Sequence, residues 1–178
     1  TLHHAYRGHW PARLTRALGL QRHVQVRRHR VTVARWPTGV RPLRIAFISD
    51  VHAGPTTHPS LLDEAFAELA AADADLVLLG GDYVFLFADY ISAIADRLRH
   101  IRAPLGFHAV MGNHDLWADD AAIARALEAA GARVLVNEQV VATIPVPNKQ
   151  GGQALQQVID IPSRLIGEFN RLNVELIG

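Results

Sequence analysis

The stretch that decides the fold is Leu43-Arg44-Ile45-Ala46-Phe47-Ile48-Ser49-Asp50-Val51-His52. Its first half is almost continuously apolar, as is typical of a strand buried on both faces of a parallel sheet. Its second half is polar, and Asp50 and His52 lie two residues apart, so an extended backbone would point both side chains the same way. The stretch therefore predicts a central strand followed by a loop that carries chemistry.

The same arrangement returns twice further along the chain. Leu76-Val77-Leu78-Leu79 leads into Gly80-Gly81-Asp82, and Phe107-His108-Ala109-Val110 leads into Gly112-Asn113-His114-Asp115. Helices are predicted from about residue 59, over 91–101 and over 118–130. A fourth strand is predicted at 133–136. Alternating strands and helices indicate an α/β fold with a mostly parallel sheet.

Length and composition exclude several classes of protein. The chain has 178 residues, of which 49% are hydrophobic, and it holds no cysteine. One compact domain fits this length, whereas a disulfide framework and a thiolate zinc site are excluded. No apolar run is long enough to span a membrane. We expect a location in the cytoplasm or at the periphery of the cytoplasmic membrane, and since the chain begins at Thr1, an upstream anchor can have been lost.

The charges are distributed unevenly along the chain. Residues 1–41 hold nine Arg and no acidic residue, whereas the remainder holds eight Arg and one Lys against seventeen Asp and Glu. A basic leader ahead of an acidic body predicts an anionic partner, either a membrane surface or, as the less favoured alternative, nucleic acid. The favoured alternative is a solvated Arg-rich edge without a partner, from a genome that uses Arg in preference to Lys. Alternation at 24–26 and 31–33 predicts a half-exposed strand or hairpin in this leader.

Three loops carry the candidate site residues. In an open α/β sheet, ligands bind beyond the carboxyl ends of the strands, so Asp50, His52, Asp82, Asn113 and His114 should converge on one edge. Carboxylate and imidazole donors without thiolate suit Mn, Fe or Zn. Asp82 could bridge two ions, since one carboxylate has two oxygens. Each motif alone is common in turns, but their occurrence in order at three strand ends favours a shared site.

These motifs resemble the first three blocks of the calcineurin-like metallophosphoesterases, and the segment 48–54 is similar to the bacterial branch often found behind a membrane anchor. The resemblance covers about residues 40–141. It implies a four-layer αββα sandwich with two metal ions (Mn, Fe or Zn) at the strand ends. It also implies a metal-dependent phosphohydrolase that acts on a phosphomonoester, phosphodiester or pyrophosphate, with a phosphorylated small molecule or a lipid headgroup as the substrate.

The resemblance assigns a role to each site residue. Asp50 and His52 would hold the first metal, Asp82 would bridge both, and Asn113 would hold the second. A metal-bound hydroxide would attack phosphorus. His114, oriented by Asp115, would act as the catalytic general acid on the leaving oxygen.

The C-terminal end departs from the family pattern. The family continues with further metal-binding histidines, but this chain has no histidine after His114. The second metal site should therefore be weak. The alternative function is a catalytically inactive, truncated remnant that acts at most as a binding module.

Composition divides the chain into a basic leader (1–41), a core (42–141) and an unassigned tail (142–178). The tail holds the chain's one Lys and four of its seven Gln, and apolar spacing predicts short amphipathic helices over 155–172. Three explanations of the tail stay open: a truncated or frameshifted gene, a diverged or fused C-terminus, and an artificially assembled chain.

Overall fold

The computed structural model describes residues 9–33, 36, 38–136, 140–146 and 155–161. Helices and strands alternate along the described chain. They are α1 (Trp10–Ala17), β1 (Ile45–Ile48), α2 (Pro59–Ala71), β2 (Leu76–Leu79), α3 (Ile91–Leu98), β3 (Phe107–Ala109), α4 (Asn113–Ala118), α5 (Asp120–Ala129), β4 (Ala132–Val134), β5 (Val140–Val146) and β6 (Leu155–Ile161), with a short 3-10 helix at Ala88–Tyr90.

The first four strands form one parallel sheet in the order β1-β2-β3-β4. Ile45 pairs with Leu76, and Val77 pairs with Phe107, so each strand begins at the same edge of the sheet. The predicted strand–helix alternation is thus confirmed for this part of the chain. Because all four strands run the same way, the loops that follow β1, β2 and β3 emerge together at one edge. The four-layer sandwich stays a prediction.

The helices pack on one face of this sheet. Val77 and Leu79 point into a core formed with Phe66 of α2, Ile94 of α3 and Leu127 of α5. All five side chains are at most 5% exposed. Burial of each such side chain contributes about 1.5–3 kcal/mol, so this face supplies much of the stability that holds the loops in place. Alternate residues such as Leu76 and Leu78 join a second, smaller core on the opposite face.

The predicted third helix, over about 118–130, corresponds to α5, and a short helix that was not predicted, α4, precedes it. Asp119 separates them with an extended backbone (φ −161°, ψ 88°), and its side chain accepts a hydrogen bond from the backbone N–H of Ala122 at 2.9 Å. Such a contact satisfies a free N–H in the first turn of α5. The helix after Asp119 thus begins close to the predicted position, whereas residues 113–118, predicted as a loop, are helical.

The leader contains α1, but the strand or hairpin predicted at 24–26 and 31–33 is wrong. These residues lie in no strand. Polar contacts hold the segment instead: the Gln21 side chain accepts from the His58 N–H at 2.9 Å, and Glu64 accepts from the Val24 N–H at 3.0 Å. The backbone is thus bound to the start of α2 and not to another strand.

The described parts of the tail form a two-stranded antiparallel sheet. Val140 pairs with Ile161, and Val146 pairs with Leu155. The predicted helix is therefore wrong over 155–161, because the β-branched residues in this segment favour a strand once a partner strand is available. The rest of that prediction lies outside the described residues. Among the described helices, none is long and apolar enough to cross a membrane.

Candidate functional site

The loops after β1, β2 and β3 meet at the carboxyl edge of the sheet. His52 Nε2 lies 3.7 Å from Asp82 Oδ2. The rings of His52 and His114 lie edge to face with centroids 4.6 Å apart. Asp82 Oδ1 accepts a hydrogen bond from the His114 backbone N–H at 3.0 Å. The structure thus brings together one residue from each of the three predicted loops.

His52, Asp82 and His114 form the group that could hold a metal ion, and we call it the His/Asp cluster. Each residue offers one donor atom, and these atoms lie within 4.8 Å of one another. All three residues are partly buried. Two imidazoles and one carboxylate form a donor set that suits Zn, Mn or Fe. The residues therefore fit one divalent cation.

The other two predicted ligands lie at the margin of this cluster. Asp50 Oδ1 is 4.0 Å from His52 Nε2, and the Asp50 side chain is 64% exposed. Its Oδ2 accepts a hydrogen bond from Ser49 Oγ at 2.6 Å. Asn113 is exposed at the first position of α4. Their roles as ligands stay predictions.

The backbone at these positions adopts a conformation that side chains rarely allow. Asp50, His52 and Asp82 have φ values of 54°, 47° and 55°. Each left-handed residue other than glycine costs about 1–2 kcal/mol. Two backbone hydrogen bonds hold the conformation, from the Asp50 N–H to the Gly81 carbonyl at 3.0 Å and from the His52 N–H to the Asp82 carbonyl at 2.9 Å. Strain of this kind collects at functional sites.

Two glycines allow the loops to approach each other. Gly81 has a φ of 92°, and a Cβ there would lie 2.5 Å from the backbone nitrogen of Gly112. A Cβ at Gly112 would overlap Asp82 Oδ1. The Asp82 carboxylate can therefore occupy its position only because residue 112 is a glycine, which has no Cβ.

Asp115 binds the backbone on both sides of the cluster. It is fully buried. One oxygen accepts from the N–H groups of Tyr83 and Val84 at 2.9 and 3.3 Å, and the other from those of Asp82 and Gly112 at 2.8 and 2.9 Å. Burial raises the pKa of the Asp115 carboxyl, and these four hydrogen bonds oppose the rise. The predicted orientation of His114 by Asp115 finds no support in these contacts and stays a prediction.

Sequence reasoning missed an aromatic surface beside the cluster. The rings of Trp117 and His114 have centroids 5.1 Å apart, and Phe85 lies 5.6 Å from His114 and 6.1 Å from His52. The spacing of Trp117 three residues after His114 on one helix was the available signal, because such residues are neighbours on a helix surface.

Two comparisons with known proteins match part of the chain. The family described as "Cellulose synthase BcsB, first CBM domain" matches residues 124–178. A "Cyclic di-GMP-binding protein" of Pseudomonas fluorescens (strain SBW25) is 47% identical to this chain over 45 residues. That segment is 25% of this chain and 6% of the relative, so the chain matches a small part of the relative's length.

These matches overturn the identification as a calcineurin-like metallophosphoesterase. They are to a carbohydrate-binding module and to a cyclic di-GMP-binding protein. The same matches contradict the predicted hydrolase activity and its phosphorylated small-molecule or lipid-headgroup substrate. They also contradict the predicted partners, an anionic membrane surface or nucleic acid. The resemblance rested on short blocks at strand ends, which define the geometry of a site but not a reaction. The family match begins at residue 124, C-terminal to the His/Asp cluster, so the geometry described above does not depend on it.

Proposed function

We propose that this chain is a binding module, without hydrolytic activity, that recognises cyclic di-GMP. The single observation that carries the proposal is the 47% identity, over 45 residues, to a cyclic di-GMP-binding protein. A cellulose-type carbohydrate is the second candidate ligand, because the family that matches residues 124–178 is a carbohydrate-binding module of a cellulose synthase protein.

The tail has side chains suited to either ligand. Gln150, Gln153, Gln156 and Gln157 lie close together in the sequence. Each Gln amide both donates and accepts hydrogen bonds, as recognition of guanine edges or sugar hydroxyls requires. In this proposal residues 1–41 form a leader, residues 42–141 a folded core and residues 142–178 a tail that contributes to binding. The module acts in the cytoplasm or at the periphery of the cytoplasmic membrane.

The proposal includes a divalent cation at the His/Asp cluster. His52, Asp82 and His114 would hold it, and its donors suit Mn, Fe or Zn. A second ion that shares Asp82 and uses Asn113 would bind more weakly, since fewer donors surround it. A bound cation would supply positive charge for an anionic ligand at an edge where Asp50 and Asp82 carry negative charge.

Isothermal titration calorimetry on the full chain tests the proposal. Cyclic di-GMP, GMP and cellohexaose are titrated in turn, with and without Mn²⁺. Saturable binding of cyclic di-GMP that exceeds binding of GMP supports the main proposal. Saturable binding of cellohexaose alone supports the carbohydrate alternative. No binding of either ligand would overturn both.

A further inference from the structure

The aromatic surface beside the His/Asp cluster is unusually exposed. Trp117 is 75% exposed, and its neighbour Leu116 is 59% exposed. Leu86, in the loop after β2, is 41% exposed and has a φ of 73°. Leu116 and Leu86 are sequence neighbours of Trp117 and Phe85, whose rings lie beside His114, and exposed apolar side chains of this kind mark interaction sites. Tryptophan contributes more than most residues to binding.

This surface is continuous with the cluster. The ring of His114 contacts Trp117 on one side, with centroids 5.1 Å apart, and His52 on another, with centroids 4.6 Å apart. Phe85 completes the surface, inclined by 38° to the His114 ring. The exposed Trp117 ring therefore lies directly beside His114, one of the three candidate cation ligands.

We infer that Trp117 stacks on a guanine base of cyclic di-GMP, while a cation held by His52, Asp82 and His114 binds the adjoining phosphodiester. The inference rests on the proposed function and assigns its ligand a place on the described part of the chain. Aromatic stacking and charge neutralisation are the two interactions that a nucleotide needs. A neutral glucan could stack on Trp117, but it has no anionic group for the cation. The pair of features therefore favours the nucleotide.

The test compares two variants at Trp117 with one control. Trp117→Ala should weaken cyclic di-GMP binding about tenfold or more, as expected when a base loses its aromatic partner. Trp117→Phe keeps a stacking ring and should bind within about threefold of the original chain. Trp10→Ala is the matched control, because Trp10 is also exposed, at 54%, but lies in α1. It should leave binding unchanged.

The outcomes separate this inference from the proposed function. If the original chain binds cyclic di-GMP and Trp117→Ala binds it equally well, the inference is wrong and the proposed function survives. If Trp117→Ala loses cellohexaose binding but keeps cyclic di-GMP binding, the surface belongs to a glucan and the inference is wrong. If the original chain binds no cyclic di-GMP, both fail. Removal of the cation with EDTA should weaken binding of the original chain and of Trp10→Ala alike, and equal affinity with and without EDTA would contradict the phosphodiester contact.

Discussion

The Asp82 carboxylate and the His114 backbone are joined by a 3.0 Å hydrogen bond that connects the loop after β2 to the first turn of α4. The other oxygen of Asp82 is the one that lies 3.7 Å from His52. One carboxylate thus links all three loops, and its position determines whether the His/Asp cluster can hold a cation.

Gly112→Ala should displace this carboxylate, because the new Cβ overlaps Asp82 Oδ1. We expect the affinity for Mn²⁺ to fall at least about tenfold, and overpacking to cost about 1–3 kcal/mol of stability. Titration calorimetry and urea denaturation measure the two effects. Gly131→Ala is the control: it has a φ of 94° but no atom within 4 Å of the new Cβ. It should lose stability while it keeps its metal affinity, and a similar metal affinity in both variants would contradict the steric explanation.

Asp115→Asn should destabilise the fold more than a surface substitution does. An amide nitrogen would replace one oxygen that now accepts two backbone N–H groups, and would leave those buried donors without an acceptor. We expect a loss of about 2–4 kcal/mol in urea denaturation. Asp96→Asn, at an exposed ion pair with Arg99, should change stability by less than about 1 kcal/mol. Equal losses in the two variants would show that the four contacts of Asp115 contribute little.

Both histidines of the His/Asp cluster should be needed for metal binding. His52→Ala and His114→Ala each remove one of three donors. Loss of a residue that only hydrogen-bonds a metal ligand lowers metal affinity roughly 10–100-fold, so loss of a ligand itself should lower the affinity for Zn²⁺ or Mn²⁺ by more. His23→Ala is the matched control, since its side chain is 82% exposed beside Glu64. Calorimetric titration with each metal gives the affinities. Unchanged binding in both cluster variants would place the cation elsewhere or exclude it.

Acid should weaken the contact between the leader and the sheet. Burial acts to raise the pKa of Asp75, but the hydrogen bonds from Arg41 and the Arg44 N–H, with the charges of both arginines, outweigh it and hold the pKa below 3.8. A carboxyl with a depressed folded pKa stabilises the fold above its unfolded pKa and loses that contribution as the pH falls through the folded value. Thermal melts should therefore show stability falling below about pH 4 in the original chain. Asp75→Asn should be less stable at pH 7 and should lose less in that acidic range, whereas parallel pH curves would contradict this role.

Much of the fold follows from the sequence, and the reasons for each failure are local. The first three strands of the parallel sheet were predictable because apolar runs that lead into loops with Gly or Asp mark both the strand and its loop. The short helix α4 was missed because Gly112, Asn113 and Asp115 are residues typical of a turn, and six residues show too little apolar periodicity to indicate a helix. The segment 24–33 was predicted as a strand because alternation cannot show whether a partner strand exists.

The site was only partly predictable. The sequence placed His52, Asp82 and His114 at converging strand ends, and the structure brings them together. It could not show that both oxygens of Asp115 accept from backbone N–H groups, since three of the four donors (Asp82, Tyr83 and Val84) lie in the distant loop after β2. The motifs also suggested a family that the comparisons contradict, and the family match covers residues 124–178, C-terminal to those motifs.

Equilibrium dialysis of the full chain against labelled cyclic di-GMP in the presence of Mn²⁺, followed by chromatography of the recovered nucleotide, tests the central claim most directly. We expect saturable binding, weakened in Trp117→Ala, with the nucleotide recovered intact. Absence of binding, or Asp82-dependent conversion to a linear dinucleotide, would contradict it.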